Sequence, residues 1–207
     1  TALEEHLVEA ALYVRDGSGL CRVHFTVSGE HRLPVSELLQ RVVPRYEKEL
    51  GVRFEIGLSV QSEATDTIAV DLDNRPFRAR DGKLLFRPGG HGALLYNLNE
   101  IRGDIVFVKN IDNIVPDRLK GATVLYKKVL GGYLVDLQQE LFSRLRVLSD
   151  PSAGGDAVTE AARFAAERLA VALPSGFEGR SIDERRRILI DALDRPVRVC
   201  GMVKNEG

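Results

Sequence analysis

The sequence predicts an α/β fold, and three observations support this prediction. In the first half of the chain, segments with alternating apolar residues, typical of strands, alternate with segments of helical periodicity. This order is typical of parallel βαβ units. The 207 residues, of which 44% are apolar and 29% charged, are enough for a globular protein with one substantial core.

The first βαβ unit is predicted over the opening 61 residues. Apolar residues recur at helical spacing in the first segment and alternate with polar residues in the second. They recur at helical spacing again after Pro34, and proline favours the first turn of a helix. Gly51 ends that helix, and a run rich in β-branched and aromatic residues follows it. We therefore predict, in order, helix 2–15, strand 21–28, helix 34–50 and strand 53–61.

Turn signals separate the next elements. Asp73-Asn74-Arg75-Pro76 and Asp81-Gly82 favour turns, so the short apolar segments beside them are predicted to form a hairpin or meander. A short helix follows a glycine-rich stretch, and a continuous apolar run then predicts a buried strand. The predicted bounds are strands 67–71 and 83–86, helix 93–101 and strand 105–109.

The chain becomes mostly helical after Pro116. The first helix there is expected to be one long helix or one broken near Gly131-Gly132, and Ser181 with Glu184 forms the capping box of the last helix. We predict helices 117–148, 157–173 and 182–193, a linker at 151–155 and a strand at 196–203. The predicted domains are an α/β core at 1–117, a helical subdomain at 118–195 and a strand returning to the core at 196–207.

Composition excludes several classes of protein. A net charge of −1 gives no basis for a nucleic-acid or anionic-membrane surface, and no apolar run reaches membrane-spanning length. Cys21 and Cys200 lie far apart among apolar residues and are interpreted as reduced core thiols of a cytoplasmic protein, with a disulfide as the alternative. Because the chain opens on Thr1 within a helix and its one methionine is Met202, we expect it to be the middle portion of a longer protein.

A glycine loop is the first candidate for a site. Pro88-Gly89-Gly90-His91-Gly92 precedes a predicted helix, so its backbone N–H groups can approach an anion closely. The alternative is a tight turn whose glycines only supply positive φ angles. The loop matches neither the P-loop nor the dinucleotide-binding pattern.

A second candidate lies at the end of the predicted strand 105–109. Asn110, Asp112 and Asn113 follow that strand, and ligands of open α/β sheets bind at the carboxyl ends of strands. A carboxylate flanked by amides suits Mg²⁺. The alternative is that Asp112 or Asn113 caps a following helix. His6, His24 and His31 lack metal-ligand spacing with the cysteines and are expected to have structural or solvated roles.

These motifs resemble those of a known family. The motifs are, in chain order, Gln61 on a strand, Gly90-His91-Gly92, Asn110-Ile111-Asp112-Asn113 and a later Val-Lys204-Asn segment. They are similar to motifs of the uridylyltransferases that make UDP-glucose and UDP-N-acetylhexosamine. The whole string resembles even more closely a bacterial family labelled only as a domain of unknown function. The resemblance implies a Rossmann-like nucleotidyltransferase fold (GT-A type) with a mixed sheet, incomplete in this chain, and a helical subdomain.

The same resemblance implies roles for individual residues. Gln61, Gly90, His91 and Gly92 would bind the nucleotide, with Gln61 on the uracil edge. Asn110 and Asn113 would bind the sugar, Asp112 would hold Mg²⁺, and Lys204 would neutralise phosphate charge during transfer. Phosphoryl-type transfer requires positioning and charge neutralisation more than covalent chemistry.

The predicted function is that of a nucleotidyltransferase core acting on a nucleoside triphosphate and a sugar 1-phosphate. The family's Gly-x-Gly-Thr-Arg loop and early lysine have no match here, so this chain alone is expected to be inactive. The alternatives are a non-catalytic domain that binds a nucleotide or nucleotide sugar, and a structural domain with no cleft beside the glycine loop. The base, the sugar and the oligomeric state are left open.

Overall fold

The chain forms two compact units, Thr1–Val124 and Leu125–Gly207, in a computed structural model that describes residues 1–202. Its helices and strands are, in chain order, α1 (Ala2–Tyr13), β1 (Leu20–Val27), α2 (Arg32–Leu50), β2 (Arg53–Val60), β3 (Thr67–Ile68), β4 (Phe86–Arg87), α3 (Leu95–Glu100), α4 (Lys120–Leu148), α5 (Gly155–Leu169) and α6 (Ile182–Leu193). The protein is therefore a mixed α/β protein with two small sheets and several helices.

The first unit is built on a parallel βαβ motif, as the sequence predicts. β1 and β2 pair in parallel from Leu20↔Arg53 to Val27↔Val60, and α2 connects them. Gly51 ends α2 with a φ of 61°, the left-handed conformation that glycine adopts without strain. Apolar side chains on one face of this sheet form a core with α1 and α2 around Leu7 and Phe25.

The predicted hairpin is present but short. β3 and β4 pair antiparallel, and isolated bridges at Val70↔Pro76 and Arg78↔Leu84 continue the meander between them. Their side chains are exposed. The hairpin leads the chain from the end of β2 to the glycine loop.

The predicted strand 105–109 is wrong, because the segment does not pair with another strand. Phe107 packs edge-on against Tyr13 of α1 with ring centroids 5.3 Å apart, and Lys109 pairs with Glu9 of the same helix. Val106 and Val108 are exposed. The segment therefore attaches to α1 through alternate side chains, and the apolar run does not indicate burial on both faces.

The second unit is a helical core formed by the later part of α4 together with α5 and α6. Leu137, Leu141 and Leu148 of α4 are buried in this core. Of the two alternatives for this segment, one long helix or a helix broken near Gly131-Gly132, the structure has the long one, since α4 is continuous. Glycine costs only about 1 kcal/mol in a helix, and packing of the following leucines offsets that cost.

Two predictions in the second unit are wrong. Residues 196–202 form no strand, since no other strand is described in this unit to pair with them, and Val197 and Val199 instead pack against the helical core. Cys200 is exposed, whereas Cys21 is buried as predicted; both are free, which excludes the disulfide. α6 begins at the predicted capping box of Ser181 and Glu184.

Candidate functional site

The carboxyl ends of β1 and β2 lie at the same edge of the parallel sheet, because Val27 is paired with Val60. The backbone N–H of Gln61 donates to the carbonyl of Val27 at 3.3 Å and extends this pairing by one residue. Gln61, predicted to bind a nucleotide, is therefore fixed at the edge of the sheet where ligands of α/β proteins bind.

The side chain of Gln61 holds the glycine loop. Its Nε2 donates to the carbonyl of Gly89 at 3.3 Å and to Oγ1 of Thr65 at 3.2 Å. A Cβ added at Gly89 would lie 2.5 Å from the carbonyl oxygen of Thr65, so only glycine fits there. Both amide protons of Gln61 serve the protein's own structure, and its carbonyl oxygen is the atom that can face a ligand.

The two predicted nucleotide-binding glycines face open space. A Cβ added at Gly90 or Gly92 would meet no atom within 4 Å. Neither glycine has a positive φ, so the interpretation of this stretch as a turn that needs positive φ angles is wrong. His91 lies between them, exposed, at the start of a short 3₁₀ helix (His91–Leu94).

The helix that follows the glycine loop contributes little to an anion site. α3 contains six residues, Leu95–Glu100, and its N-cap residue has no side-chain capping bond. Its main role is attachment: the buried Asn97 donates to Oγ of Ser59 at 2.9 Å and to the carbonyl of Val60 at 3.0 Å. These bonds fix the glycine loop to β2 from its far side.

The segment Asn110–Asn113 is an exposed loop, and its side chains do not cap a helix. Its backbone bonds are local, from the N–H of Asn113 to the carbonyl of Asn110 and from the N–H of Ile114 to that of Asp112. The next helical turn begins only at Asp117, with Pro116 as its N-cap. The helix-cap alternative for Asp112 and Asn113 is therefore wrong.

The Asn110–Asn113 loop is attached to α1. Nε2 of His6 on α1 lies 2.8 Å from the carbonyl oxygen of Ile111, and its ring centroid lies 6.4 Å from that of Phe25. Phe25 is two residues before the end of β1. The glycine loop is thus tied to the carboxyl end of β2, whereas the Asn110–Asn113 loop is tied to α1.

Asp112 offers one exposed carboxylate to a cation, with amide oxygens of Asn110 and Asn113 beside it in sequence. Among residues 1–202, no group of three or more His, Cys, Asp or Glu side chains is placed to hold a metal ion. Mg²⁺ retains several water molecules and often binds through one carboxylate and substrate phosphates. The donor set therefore fits Mg²⁺ that arrives with a phosphorylated ligand, and it does not fit a permanently bound ion.

A polar cluster on the face of the sheet opposite the core was not predicted. Oγ of Ser59 lies 2.8 Å from Nε2 of His24 and 3.1 Å from Oγ1 of Thr26, and it also accepts from Asn97. Partial burial lowers the pKa of His24, while the charge of Glu100 opposes that shift. The signal was available in the sequence, because His24 and Thr26 alternate with the apolar residues of β1 and must share one face.

Gly57 makes room for this cluster. A Cβ at this position would lie 2.3 Å from Nδ1 of His24, so the imidazole lies over the glycine of the neighbouring strand. A glycine inside a strand commonly marks such a close approach.

An open depression of about 410 Å³ lies beside the end of β1 at the start of α2. It is lined by Gly29, Arg32, Leu33, Ser36 and Leu58, none of which the motifs indicated.

Lys204, the predicted phosphate-neutralising residue, lies outside the described residues. No helix among those described is both long and apolar enough to cross a bilayer.

Comparison with known proteins identifies the family. The chain matches the family described as "Domain of unknown function (DUF4301)" over residues 1–207, and it therefore belongs to that family. No curated protein and no solved structure matches the chain.

Proposed function

We propose that this member of the DUF4301 family is the nucleotide-binding core of a nucleotidyltransferase of the kind that makes UDP-sugars, with a Rossmann-like sheet as its basis. The observation that carries the proposal is the anchoring of Gly89 by Gln61 at the carboxyl edge of a parallel βαβ unit. This anchoring leaves Gly90 and Gly92 with open space in front of them. A base and ribose can approach such a backbone closely, because no Cβ intervenes.

The proposed roles follow from where each residue lies. The carbonyl oxygen of Gln61 accepts from the N3–H of uracil, while its amide protons hold the loop. Gly90 and Gly92 lie against the base and ribose, and His91 donates to a ribose or phosphate oxygen. Asn110 and Asn113 bind the sugar, and Lys204 neutralises phosphate charge.

The proposed reaction is the attack of a sugar 1-phosphate oxygen on the α-phosphate of a nucleoside triphosphate, with pyrophosphate leaving. Mg²⁺, when bound, offsets the negative charge on the phosphates. Asp112 would hold it together with phosphate oxygens. Binding and orientation are the contributions of the residues in this chain.

A non-catalytic domain that binds a nucleotide or nucleotide sugar is the second candidate. It is favoured because this sequence has no match to the Gly-x-Gly-Thr-Arg loop and early lysine of the family that it resembles. Release of pyrophosphate from UTP and a sugar 1-phosphate separates the two candidates, since a binding domain releases none.

Calorimetric titration of this chain with UTP tests the proposal. We expect saturable binding, and we expect Gly90→Ala to weaken it about tenfold, or ~1.4 kcal/mol, by filling the space in front of the loop. Gly17→Ala is the matched control, since its Cβ also meets no atom within 4 Å but it lies before the amino end of β1. Equal UTP affinities for the wild type and the Gly90 variant would disprove the role of the loop.

A further inference from the structure

One face of α1 contacts the chain before, within and after the Asn110–Asn113 loop. Glu5 and Glu9 are four residues apart and therefore share a face of the helix, with His6 beside Glu5. Glu5 pairs with Lys120, and Glu9 pairs with Lys109. His6 contacts the carbonyl of Ile111. We propose that these three α1 residues, called the α1 clamp below, position Asn110 and Asp112 to face a ligand.

The first contact of the α1 clamp fixes the residue immediately before the loop. Nζ of Lys109 lies 2.5 Å from Oε2 of Glu9, whose side chain is 0% exposed, and the side chain of Lys109 is 14% exposed. The hydroxyl of Tyr13 also donates to Oε2 of Glu9, at 3.3 Å. Burial raises the pKa of Tyr13, so this hydroxyl keeps its proton. If Lys109 moved away, Glu9 would remain as an unpaired buried charge, which is strongly unfavourable.

The second contact fixes the chain after the loop. The ammonium of Lys120, only 6% exposed, pairs with Glu5 and with Asp117, and it donates to the carbonyl of Val115 at 3.1 Å. Burial alone would lower the pKa of Lys120, but hydrogen bonds to Asp117 and Glu5 outweigh it and raise the pKa above its ordinary value. Lys120 therefore stays charged and joins three points of the chain.

The third contact lies inside the loop. Nε2 of His6 is 2.8 Å from the carbonyl oxygen of Ile111, the residue between Asn110 and Asp112. α1 is a firm base for these contacts, because a capping box of Thr1 and Glu4 closes its first turn and Leu7 is fully buried.

The direction of the loop side chains follows from these three contacts. In extended backbone, successive side chains point to opposite sides. Phe107 and Lys109 face α1 and are half-buried, while Val108 and Asn110 are exposed. Asp112 is also exposed, one residue beyond the carbonyl held by His6. The α1 clamp thus leaves the amide of Asn110 on the side away from α1 and the carboxylate of Asp112 exposed.

Hydrogen–deuterium exchange of the Asn113 and Ile114 amides, which donate the backbone hydrogen bonds of this loop, tests the α1 clamp without any ligand. We expect Glu9→Gln to accelerate exchange there about tenfold or more, because Lys109 loses its charged partner. Arg45→Gln is the matched control: it removes an ion pair between α1 and α2, that of Arg45 with Glu4, and does not touch the loop. Unchanged exchange in a folded Glu9→Gln protein would overturn the inference.

His6→Ala and Lys120→Met give the same test if Glu9→Gln does not fold. Each removes one contact of the α1 clamp and should accelerate exchange over the same residues. Normal exchange in both variants would also overturn the inference.

The inference that the α1 clamp positions Asn110 and Asp112 to face a ligand rests on the proposed function, and a second measurement tests it. UTP affinity is measured with Mg²⁺ and with a chelator. We expect Glu9→Gln to remove the gain in affinity that Mg²⁺ gives, while the affinity in chelator stays within about twofold of wild type. A merely structural role would lower both affinities together, and that result would refute positioning.

The two readouts separate the two ideas. If the wild type binds no UTP but exchange still rises in Glu9→Gln, the proposed function fails and the attachment of the loop to α1 stands. If the wild type binds UTP and Glu9→Gln changes neither exchange nor the Mg²⁺ dependence, the α1 clamp fails and the proposed function stands.

Discussion

Gly89→Ala should destabilise the protein through one identifiable contact. The new Cβ would lie 2.5 Å from the carbonyl oxygen of Thr65 and 3.1 Å from Cβ of Ala93. The first distance is about 1 Å short of ordinary contact, and it involves backbone that cannot rotate away. Overpacking of this kind costs about 1–3 kcal/mol. The hydrogen bond from Gln61 to the carbonyl of Gly89 is strained by the same movement.

Urea unfolding followed by circular dichroism measures this effect. The midpoint for Gly89→Ala should fall with an unchanged slope, which indicates lower stability and not a change in the surface exposed. Gly90→Ala is the control one residue away: its φ of −67° suits alanine and no atom lies within 4 Å of the new Cβ. It should change stability by less than about 0.5 kcal/mol or increase it slightly. Equal midpoints for the two variants would refute the placement of Gly89 against Thr65.

Two further predictions concern the helical unit and the turn before β1. Leu189→Ala, at a position 0% exposed, should lower the free energy of unfolding by about 2–5 kcal/mol. Leu33→Ala, at a position 68% exposed, should change it by less than about 0.5 kcal/mol. Urea titration measures both variants, and similar losses would contradict the assigned core. Hydrogen bonds from Ser18 and Leu20 lower the pKa of Asp16 from 3.8 to about 2. Because the folded pKa lies below the ordinary value, the stability that Asp16 contributes is fully present above about pH 4 and is lost as the pH falls towards 2. An NMR titration of its carboxyl carbon should have a midpoint near 2, and a midpoint near 3.8 would show that these bonds do not form.

The parallel βαβ unit could be predicted because local signals and packing agree there. Alternation in β1, the glycine that ends α2 and the β-branched run of β2 all indicate the same structure. The capping box of Ser181 likewise set the start of α6. In both places the chain's local preference is also the conformation that buries its apolar residues.

The apolar pattern predicted strands wrongly where the described part of the folded protein has no neighbouring strand for the segment to pair with. The apolar run at 105–109 is compatible with a buried strand, but its side chains attach it to α1. The partner of Lys109 is Glu9, 100 residues earlier, a distance over which no local periodicity operates. Alternation places His24 on the polar face of β1, but its contact with Ser59, and that of Asn97 with Ser59, became evident only in the folded protein.

One contact of the candidate site joins two of the predicted motifs. The link between Gln61 and the glycine loop places two predicted motifs together, although the bond comes from the amide group that was expected to read a base. The roles toward a ligand all stay predictions: those of Gln61, Gly90, His91, Gly92, Asn110, Asp112, Asn113 and Lys204.

An NMR titration of the full chain with UTP, with and without Mg²⁺, tests the central claim most directly. The account predicts that the amide signals of Gln61 and of residues 89–92 shift in both titrations. Those of residues 110–113 should shift only when Mg²⁺ is present, and Asp112→Asn should abolish this second set alone. Shifts confined to other residues, or no shifts at saturating UTP, would contradict the proposal that a nucleotide binds at this edge of the sheet.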